Sequence, residues 1–321
     1  MPHLFLAQID TSMFYVARYL LMAGPMIGAT CALLSVYVVL RRMALIAEGV
    51  SHAGFGGIAV AVLVGYFIPA LDNDVAREII TGVFCLGTAM LMGYVTRRKR
   101  VSEDSAIGIF LVASVALGML LLSVRRNLPA SGRAIPVDVE SLLFGSPAAI
   151  SQSDAITAGI TMLVVFATIG ALYYQFLYTT LDEEMARING VNTRLINTLL
   201  LAIISLVIVT SARMVGFLMI TALTIIPGAT ANMLSRRFVG VLIASLIIGT
   251  GGTFGAVCFA TVLPYDPGPL VVLTLFLIFA AVWAFRHFFK PRVVVEEDAS
   301  APSPPDHAHE HPGAFGHAHS H

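Results

Sequence analysis

Two ionisable residues inside an apolar stretch define the chemistry that this sequence offers. Glu48 and His52 are four residues apart in the segment that follows Arg42. On a helix their side chains share one face, about 6 Å apart along the axis. Counted from Arg42, Glu48 lies about 9 Å and His52 about 15 Å along that helix. Carboxylate oxygen and neutral imidazole nitrogen are ligands of zinc and manganese, so the pair predicts a divalent metal site.

The competing interpretation of this pair is structural, with Glu48 paired to Arg41 and His52 hydrogen-bonded inside a helix bundle. At membrane depth either group costs on the order of 3 kcal/mol without a partner or water, which favours a functional role. Two ligands on one helix are too few for a tight site. A two-fold homodimer that brings two copies of the pair together would complete it.

The composition places these residues in a membrane protein. Hydrophobic residues form 57% of the 321 residues and charged residues 12%, about half the charged share of soluble proteins. The 19 basic and 19 acidic residues balance, so charge indicates neither nucleic acid nor an acidic partner. The three cysteines are isolated in apolar stretches, which excludes a disulfide framework or a Cys-x-x-Cys metal site; they are Cys31, Cys85 and Cys258.

Nine apolar stretches are long enough to cross a bilayer, and only helices can do so in lipid here. We therefore predict an all-α, polytopic helical bundle over residues 1–291, with the first span kept as an anchor and membrane lipid around it. The stretch 214–234 is the least certain, because only Arg213 precedes it and Pro227-Gly228 predicts a bend or break. Eight full crossings is the competing count. The nine stretches are 14–40, 43–68, 79–96, 106–124, 156–178, 195–212, 214–234, 239–263 and 270–289.

Basic residues predict the orientation in a cytoplasmic membrane. With nine alternating spans, four basic groups fall on one side, which is expected to be cytoplasmic together with the C-terminus. One loop violates the pattern, because Arg125, Arg126 and Arg133 would lie outside. The four groups are Arg41-Arg42, residues 97–100, Arg236-Arg237 and the set of Arg286, Lys290 and Arg292.

A cytoplasmic loop between two spans has the pattern of a short helix. Its first turn is acidic and Asn189-Gly190 suits a C-terminal cap. A solvated loop is the alternative interpretation, but Met185 and Ile188 among the charges favour a docking element. The residues concerned are Asp182, Glu183, Glu184, Met185, Ala186, Arg187, Ile188, Asn189 and Gly190.

The C-terminal segment, residues 292–321, is acidic, then proline-rich, then histidine-rich, and is predicted to be a disordered cytoplasmic tail. Histidines in alternation suit zinc, copper or nickel on a flexible chain. A purification tag is the alternative, and the interleaved residues argue against it. The tail ligands are His307, His309, His311, His317, His319 and His321.

Small and hydroxylated residues in the later spans predict close packing or a wet path. Gly251 and Gly255 have the spacing of a close helix contact. Residues 221–232 are rich in threonine, and their hydroxyls could line a pathway or join helices. The chain has no phosphate-binding loop, no His-Glu-x-x-His and no evident nucleophile–base pair. An enzyme is therefore not expected, and ATP hydrolysis would need a separate chain.

Several ordered motifs over residues 14–290 resemble the permease subunits of zinc and manganese ABC importers. The strongest is Leu40-Arg-Arg-Met-Ala-Leu-Ile-Ala-Glu48-Gly-Val-Ser51-His52-Ala. It is followed in order by the segments that begin at Ser102, Asp138, Met185, Val215 and Pro267. The chain departs from the family in having Glu48 where Asp is usual, and Gly54-Phe-Gly-Gly is expected to loosen helix packing.

The resemblance implies a type II ABC-importer-like fold and a homodimer that works with two ATPase subunits and an external metal-binding protein. Glu48 and His52 would match the metal-contacting residues of the second span, and residues 182–192 the coupling helix. No permanent cofactor is implied. The cargo is a divalent metal, with Zn2+ first and Mn2+ or Fe2+ second. A proton-coupled transporter that needs no ATPase is the alternative.

Overall fold

The computed structural model describes residues 11–97, 102–129, 145, 151–262 and 267–289, and within these ranges the chain is helical with no strand. The all-α prediction is confirmed. The helices are α1 (Thr11–Leu40), α2 (Ala44–Phe67), α3 (Asp74–Arg97), α4 (Glu103–Asn127), α5 (Gln152–Ala171), α6 (Tyr173–Leu181), α7 (Glu183–Ile188), α8 (Thr193–Val215), α9 (Phe217–Leu234), α10 (Phe238–Val262) and α11 (Pro267–Phe289), with a 3₁₀ turn at Pro69–Leu71.

Eight of the described helices are long and apolar enough to cross a bilayer: α1 to α5, α8, α10 and α11. A shorter apolar helix, Met219–Leu234, forms most of α9. Large apolar side chains remain exposed on the outer helices, such as Val83 on α3, Leu120 on α4 and Leu277 on α11. Exposed apolar surface of this extent suits lipid, and the chain is a multi-pass membrane protein.

Helix α2 packs between α3 and α4. Gly49 lies against Met92 of α3 and Gly57 lies against Thr81, so the two helices are antiparallel. A methyl group at Gly49 would come within 2.8 Å of Met92 Cε. The absence of side chains at these positions therefore lets the neighbouring helices come close to α2.

A second close contact joins α1 to α10. Ser245 Oγ donates a hydrogen bond to the Ala32 carbonyl at 2.7 Å, and Gly28 lies against Thr253. Residue numbers rise along α1 while they fall along α10, so these helices are also antiparallel.

The glycine pair predicted for close packing does not make this contact. A methyl group at Gly251 or Gly255 would meet no described atom within 4 Å, whereas Gly249 lies against Ala32. The prediction was wrong in register because four-residue spacing does not say which face of a helix meets its neighbour.

The chain reverses direction between α8 and α9. Asn197, in the first turns of α8, accepts a hydrogen bond from Arg41 at the end of α1. Near the end of α9, the Gly228 N–H donates to Ser35 Oγ, two turns before Arg41. Helix α8 therefore begins, and α9 ends, at the same end of the bundle.

Gly216 makes this reversal with φ 79° and ψ 153°, a conformation that glycine adopts readily and other residues avoid. The sequence prediction placed the boundary at Arg213 and a bend or break at Pro227-Gly228. The boundary is at Gly216, and α9 continues through Pro227. The boundary prediction was wrong because an apolarity pattern does not register a positive φ angle. No break occurs at Pro227-Gly228, and a bend at that point stays a prediction.

We call the two ends of the bundle the Arg41 end and the Tyr66 end, after residues at the end of α1 and of α2. Arg41-Arg42, Arg236-Arg237 and Arg286 all lie at the Arg41 end, as the alternation of spans predicts; Arg286 there donates to the Met233 carbonyl.

Arg125, which belongs to the loop that violates the predicted charge pattern, contacts an aromatic ring at the Tyr66 end. The Arg125 guanidinium lies 4.6 Å from the centre of the Tyr66 ring, and Arg125 is in the last turn of α4, where a positive charge stabilises the helix dipole. Arg125 therefore joins the ends of α2 and α4.

Candidate functional site

Glu48 and His52 lie on one face of α2, as predicted. Both are half-buried, and they share this face with Leu45, which is 44% exposed. The opposite face of the same turns is buried, with Ala47, Val50 and Ala53 at or below 1% exposure. A carboxylate and an imidazole are therefore presented on the accessible side of a helix whose other side is packed.

The segment that carries this pair is held from behind. Ser51, between the two residues, donates a hydrogen bond from Oγ to the Phe217 carbonyl at 2.7 Å. Gly54, one turn on, lies against the Phe217 ring, and an added methyl group would come within 2.8 Å of Cζ. Gly54-Phe-Gly-Gly was expected to loosen the packing, yet all four residues are buried. That prediction was wrong because the neighbouring helices fill the space that the glycines leave.

Arg41 does not neutralise Glu48. Its Nε donates to Thr180 Oγ1 at 2.9 Å and its Nη1 donates to Asn197 Oδ1 at 2.5 Å. Among the described residues, neither Glu48 nor His52 forms a hydrogen bond or an ion pair. The structural interpretation of the pair, with Arg41 and the bundle as partners, is not what the structure shows.

The pair offers a metal ion one carboxylate and one imidazole. Within the described part of the chain, no group of three or more His, Cys, Asp or Glu side chains converges on a possible metal position. Tetrahedral zinc sites use four ligands, and catalytic ones three with an open position. One copy of the chain thus supplies half of a tetrahedral set from α2.

The threonines of α9 are bonded within their own helix. Thr221, Thr224 and Thr230 donate to the carbonyls of Phe217, Ile220 and Ile226 at 3.2, 2.9 and 2.7 Å. Back-bonding of this kind satisfies the hydroxyl locally. Within this threonine-rich stretch, the Gly228 N–H donates to Ser35 Oγ of α1 and so joins two helices; it lies next to Pro227, which has no N–H of its own.

The predicted docking loop is a short helix. Asp182 precedes α7 and its carboxylate accepts from the Met185 N–H at 2.9 Å, so it is an N-cap. At the other end Gly190 has φ 79°, and the Val191 N–H bonds to the Ala186 carbonyl at 3.0 Å, which is the pattern of a Schellman cap. The prediction of a capped helix is confirmed, with Asp182 as cap and not as the first helical residue.

The outer surface of α7 combines apolar and charged side chains. Met185 is 55% and Ile188 79% exposed, while Ala186 is buried against the bundle. Glu183 and Arg187 form an exposed pair at 3.7 Å. The helix therefore presents its side chains away from the bundle at the Arg41 end, as a docking element requires.

The tail histidines and the partners of Arg41 are the two groups of residues for which the sequence predictions and the described structure do not overlap. The predicted tail ligands His307, His309, His311, His317, His319 and His321 lie outside the described residues. Sequence reasoning also missed the bonds of Arg41 to Thr180 and Asn197, for which the only signal was a polar Asn197 near the start of an apolar span.

Comparisons with known proteins find similarity over most of the chain. The chain is 33% identical over 275 residues to the "Manganese transport system membrane protein MntC" of Halalkalibacterium halodurans. This alignment covers 85% of this chain and 86% of that protein. It is 28% identical over 261 residues to the "High-affinity zinc uptake system membrane protein ZnuB" of Haemophilus influenzae. This alignment covers 81% of this chain and 94% of that protein.

Among solved structures, "PsaBC from Streptococcus pneumoniae in complex with Fab" superposes with a TM-score of 0.73 at 25% identity, over 88% of this chain and 95% of that one. The family model "ABC 3 transport family" matches residues 13–286. A match over this length includes α2 with Glu48 and His52 as well as the capped helix α7, and the chain belongs to the ABC 3 transport family.

Proposed function

We propose that this chain is the permease subunit of an ABC importer which carries a divalent transition metal across the cytoplasmic membrane. The observation that carries the proposal is the pair Glu48 and His52, which lies on the accessible face of the bilayer-length helix α2 without an ion-pair partner among the described residues. A cation passing along this face would supply the missing partner.

Zinc is the first candidate cargo, with manganese or iron second, because one carboxylate and one imidazole suit all three. The relatives named for manganese and for zinc support these two metals without choosing between them. In the proposed mechanism an external metal-binding protein delivers the ion to Glu48 and His52. A second copy of the chain contributes the same two ligands across a two-fold axis.

Energy comes from separate ATP-hydrolysing subunits that dock on α7 at the Arg41 end, which is the cytoplasmic end in this proposal. ATP-driven closure of those subunits reshapes the axis and weakens the ligand set, so that the ion leaves inward. Family membership favours this ATP-driven scheme over the proton-coupled alternative. Co-purification of an ATP-hydrolysing subunit with the chain distinguishes the two.

The test of the proposed site is zinc uptake by cells that lack this chain and carry a variant of it. Glu48→Gln and His52→Ala are each expected to lower uptake by more than about tenfold, since each removes a ligand. Leu45→Ala is the matched control, because it lies on the same accessible face without metal chemistry. Normal uptake by the Glu48→Gln/His52→Ala double variant would remove the site from the account. Competition by manganese and iron ranks the cargo.

A further inference from the structure

The turn between α1 and α2 is a rigid connection to the helix that carries the proposed site. The Met43 N–H bonds to the Val38 carbonyl at 2.8 Å and the Arg42 N–H bonds to the Val39 carbonyl at 3.1 Å. Arg42 has φ 57°. This is a Schellman cap with arginine in the left-handed position that usually holds glycine. Because the turn is closed by these bonds, a displacement of Arg41 is passed on to the first turn of α2.

The Arg41 side chain forms hydrogen bonds to residues before and after α7 in the chain. On one side its Nε donates to Thr180 Oγ1 at 2.9 Å, and Thr180 lies three residues before Glu183. On the other side its Nη1 donates to Asn197 Oδ1 at 2.5 Å. Asn197 in turn donates from Nδ2 to Glu183 Oε1 at 3.5 Å. A chain of hydrogen bonds thus runs from α7 through α8 to the end of α1.

The surroundings of Arg41 support a fixed geometry. Burial lowers its pKa to about 10, while the negative charge of Glu183 acts in the opposite direction, so the guanidinium is charged at neutral pH. One turn earlier, the Tyr37 ring packs against Phe176 of α6 with centroids 5.5 Å apart. The planar guanidinium reaches two acceptors in different helices, which the single ammonium group of lysine does not reproduce.

We infer that Arg41 is a positioning residue which links the docking helix α7 to the helix that carries Glu48 and His52. The inference rests on the proposed function, because it assigns Arg41 a part in passing movement from the ATP-hydrolysing subunits to the metal ligands. Glu48 is four residues and His52 eight residues after Ala44, the first residue of α2, which is about 6 Å and about 12 Å of helix rise. A displacement of α7 therefore reaches the ligands through one side chain and two turns of helix.

The test compares Arg41→Gln with Arg42→Gln in the full-length chain, assembled with its ATP-hydrolysing subunits in lipid vesicles. Both changes remove one positive charge from the same turn, but the exposed Arg42 side chain makes none of these bonds. Zinc uptake and ATP hydrolysis are measured in the same vesicles. Arg41→Gln is expected to lower the zinc transported per ATP hydrolysed about fivefold or more, with hydrolysis retained. Arg42→Gln is expected to leave the ratio unchanged.

A merely structural role would lower assembly and hydrolysis together and leave the ratio at its wild-type value, and that result overturns the inference. Asn197→Ser adds a second test. If Arg41 acts through Asn197, the double variant has the same ratio as Arg41→Gln alone, whereas effects that multiply contradict this route.

If Arg41→Gln does not assemble, the double variant Thr180→Val/Asn197→Ser replaces it, since these changes alter both acceptors of Arg41 and leave Arg41 in place. A wild-type ratio in this double variant then overturns the inference. If the wild-type assembly itself takes up no zinc, the proposed function fails, so the two failures are distinguishable.

Discussion

Two buried serines provide a matched test of how the site helix is held. Ser51, 1% exposed, donates to the Phe217 carbonyl at 2.7 Å. Ser205, 2% exposed, has a buried Oγ without a hydrogen-bond partner among the described residues. Ser51→Ala breaks a hydrogen bond between membrane helices, whereas Ser205→Ala removes an unsatisfied hydroxyl.

The expected cost of Ser51→Ala is about 1 kcal/mol, within the range measured for hydrogen bonds between membrane helices. The upper part of that range is not expected, because the Phe217 carbonyl also accepts from Thr221 Oγ1 at 3.2 Å and stays partly satisfied. Ser205→Ala is expected to change stability by less than about 0.5 kcal/mol, or to raise it.

The assay is unfolding of the purified chain by sodium dodecyl sulfate in mixed micelles, followed by the fluorescence of its one tryptophan, Trp283. The two free energies of unfolding are compared under identical conditions. Equal effects of Ser51→Ala and Ser205→Ala, or a larger loss in Ser205→Ala, would refute the claim that Ser51 holds α2 against α9.

Three further predictions concern the turn at Gly216, the cap of α7 and the tail. Gly216→Ala is expected to lower the free energy of unfolding by about 1–3 kcal/mol, because the φ and ψ of Gly216 are nearly exclusive to glycine. Gly251→Ala is the control: this position lies in open space within α10, and the change is expected to raise the free energy of unfolding by up to about 1 kcal/mol in the same assay. Asp182→Ala removes the N-cap of α7 and is expected to cost about 1 kcal/mol of helix stability. A pull-down titration should then show weaker retention of the ATP-hydrolysing subunit, and unchanged retention would contradict the docking role of α7. Deletion of residues 292–321 is expected to lower the number of zinc ions bound at pH 7.5 but not zinc uptake at saturating zinc. Zinc binding by the intact tail should weaken below about pH 6 as its histidines protonate. Equal zinc content with and without the tail, measured by atomic absorption, would contradict a metal-binding tail.

Much of the fold could be predicted because it depends on local pattern. Bilayer-length apolar stretches predicted the crossing helices, and an acidic turn followed by Asn189-Gly190 predicted the capped helix α7. These features are determined within a few residues of one another, by helix periodicity and by backbone groups that need a cap.

The rest depends on contacts between distant segments. Arg41 bonds to residues 139 and 156 positions further along the chain, so no local pattern distinguishes these partners from a pairing with Glu48. The reversal at Gly216 was missed because one glycine with a positive φ leaves the apolar pattern on both sides unbroken. For the site, the ligand types and their shared face were predictable from spacing, whereas the role of Ser51 required the position of Phe217 in another helix.

The claim at the centre of this account is that His52 binds the transported metal directly. Pulsed electron paramagnetic resonance of Mn2+ bound to the assembled importer detects a nitrogen ligand through its ¹⁴N modulation. The chain without residues 292–321 keeps three histidines, His3, His52 and His287. The account predicts a nitrogen signal that survives His287→Ala and disappears in His52→Ala. A signal that persists in His52→Ala would contradict it.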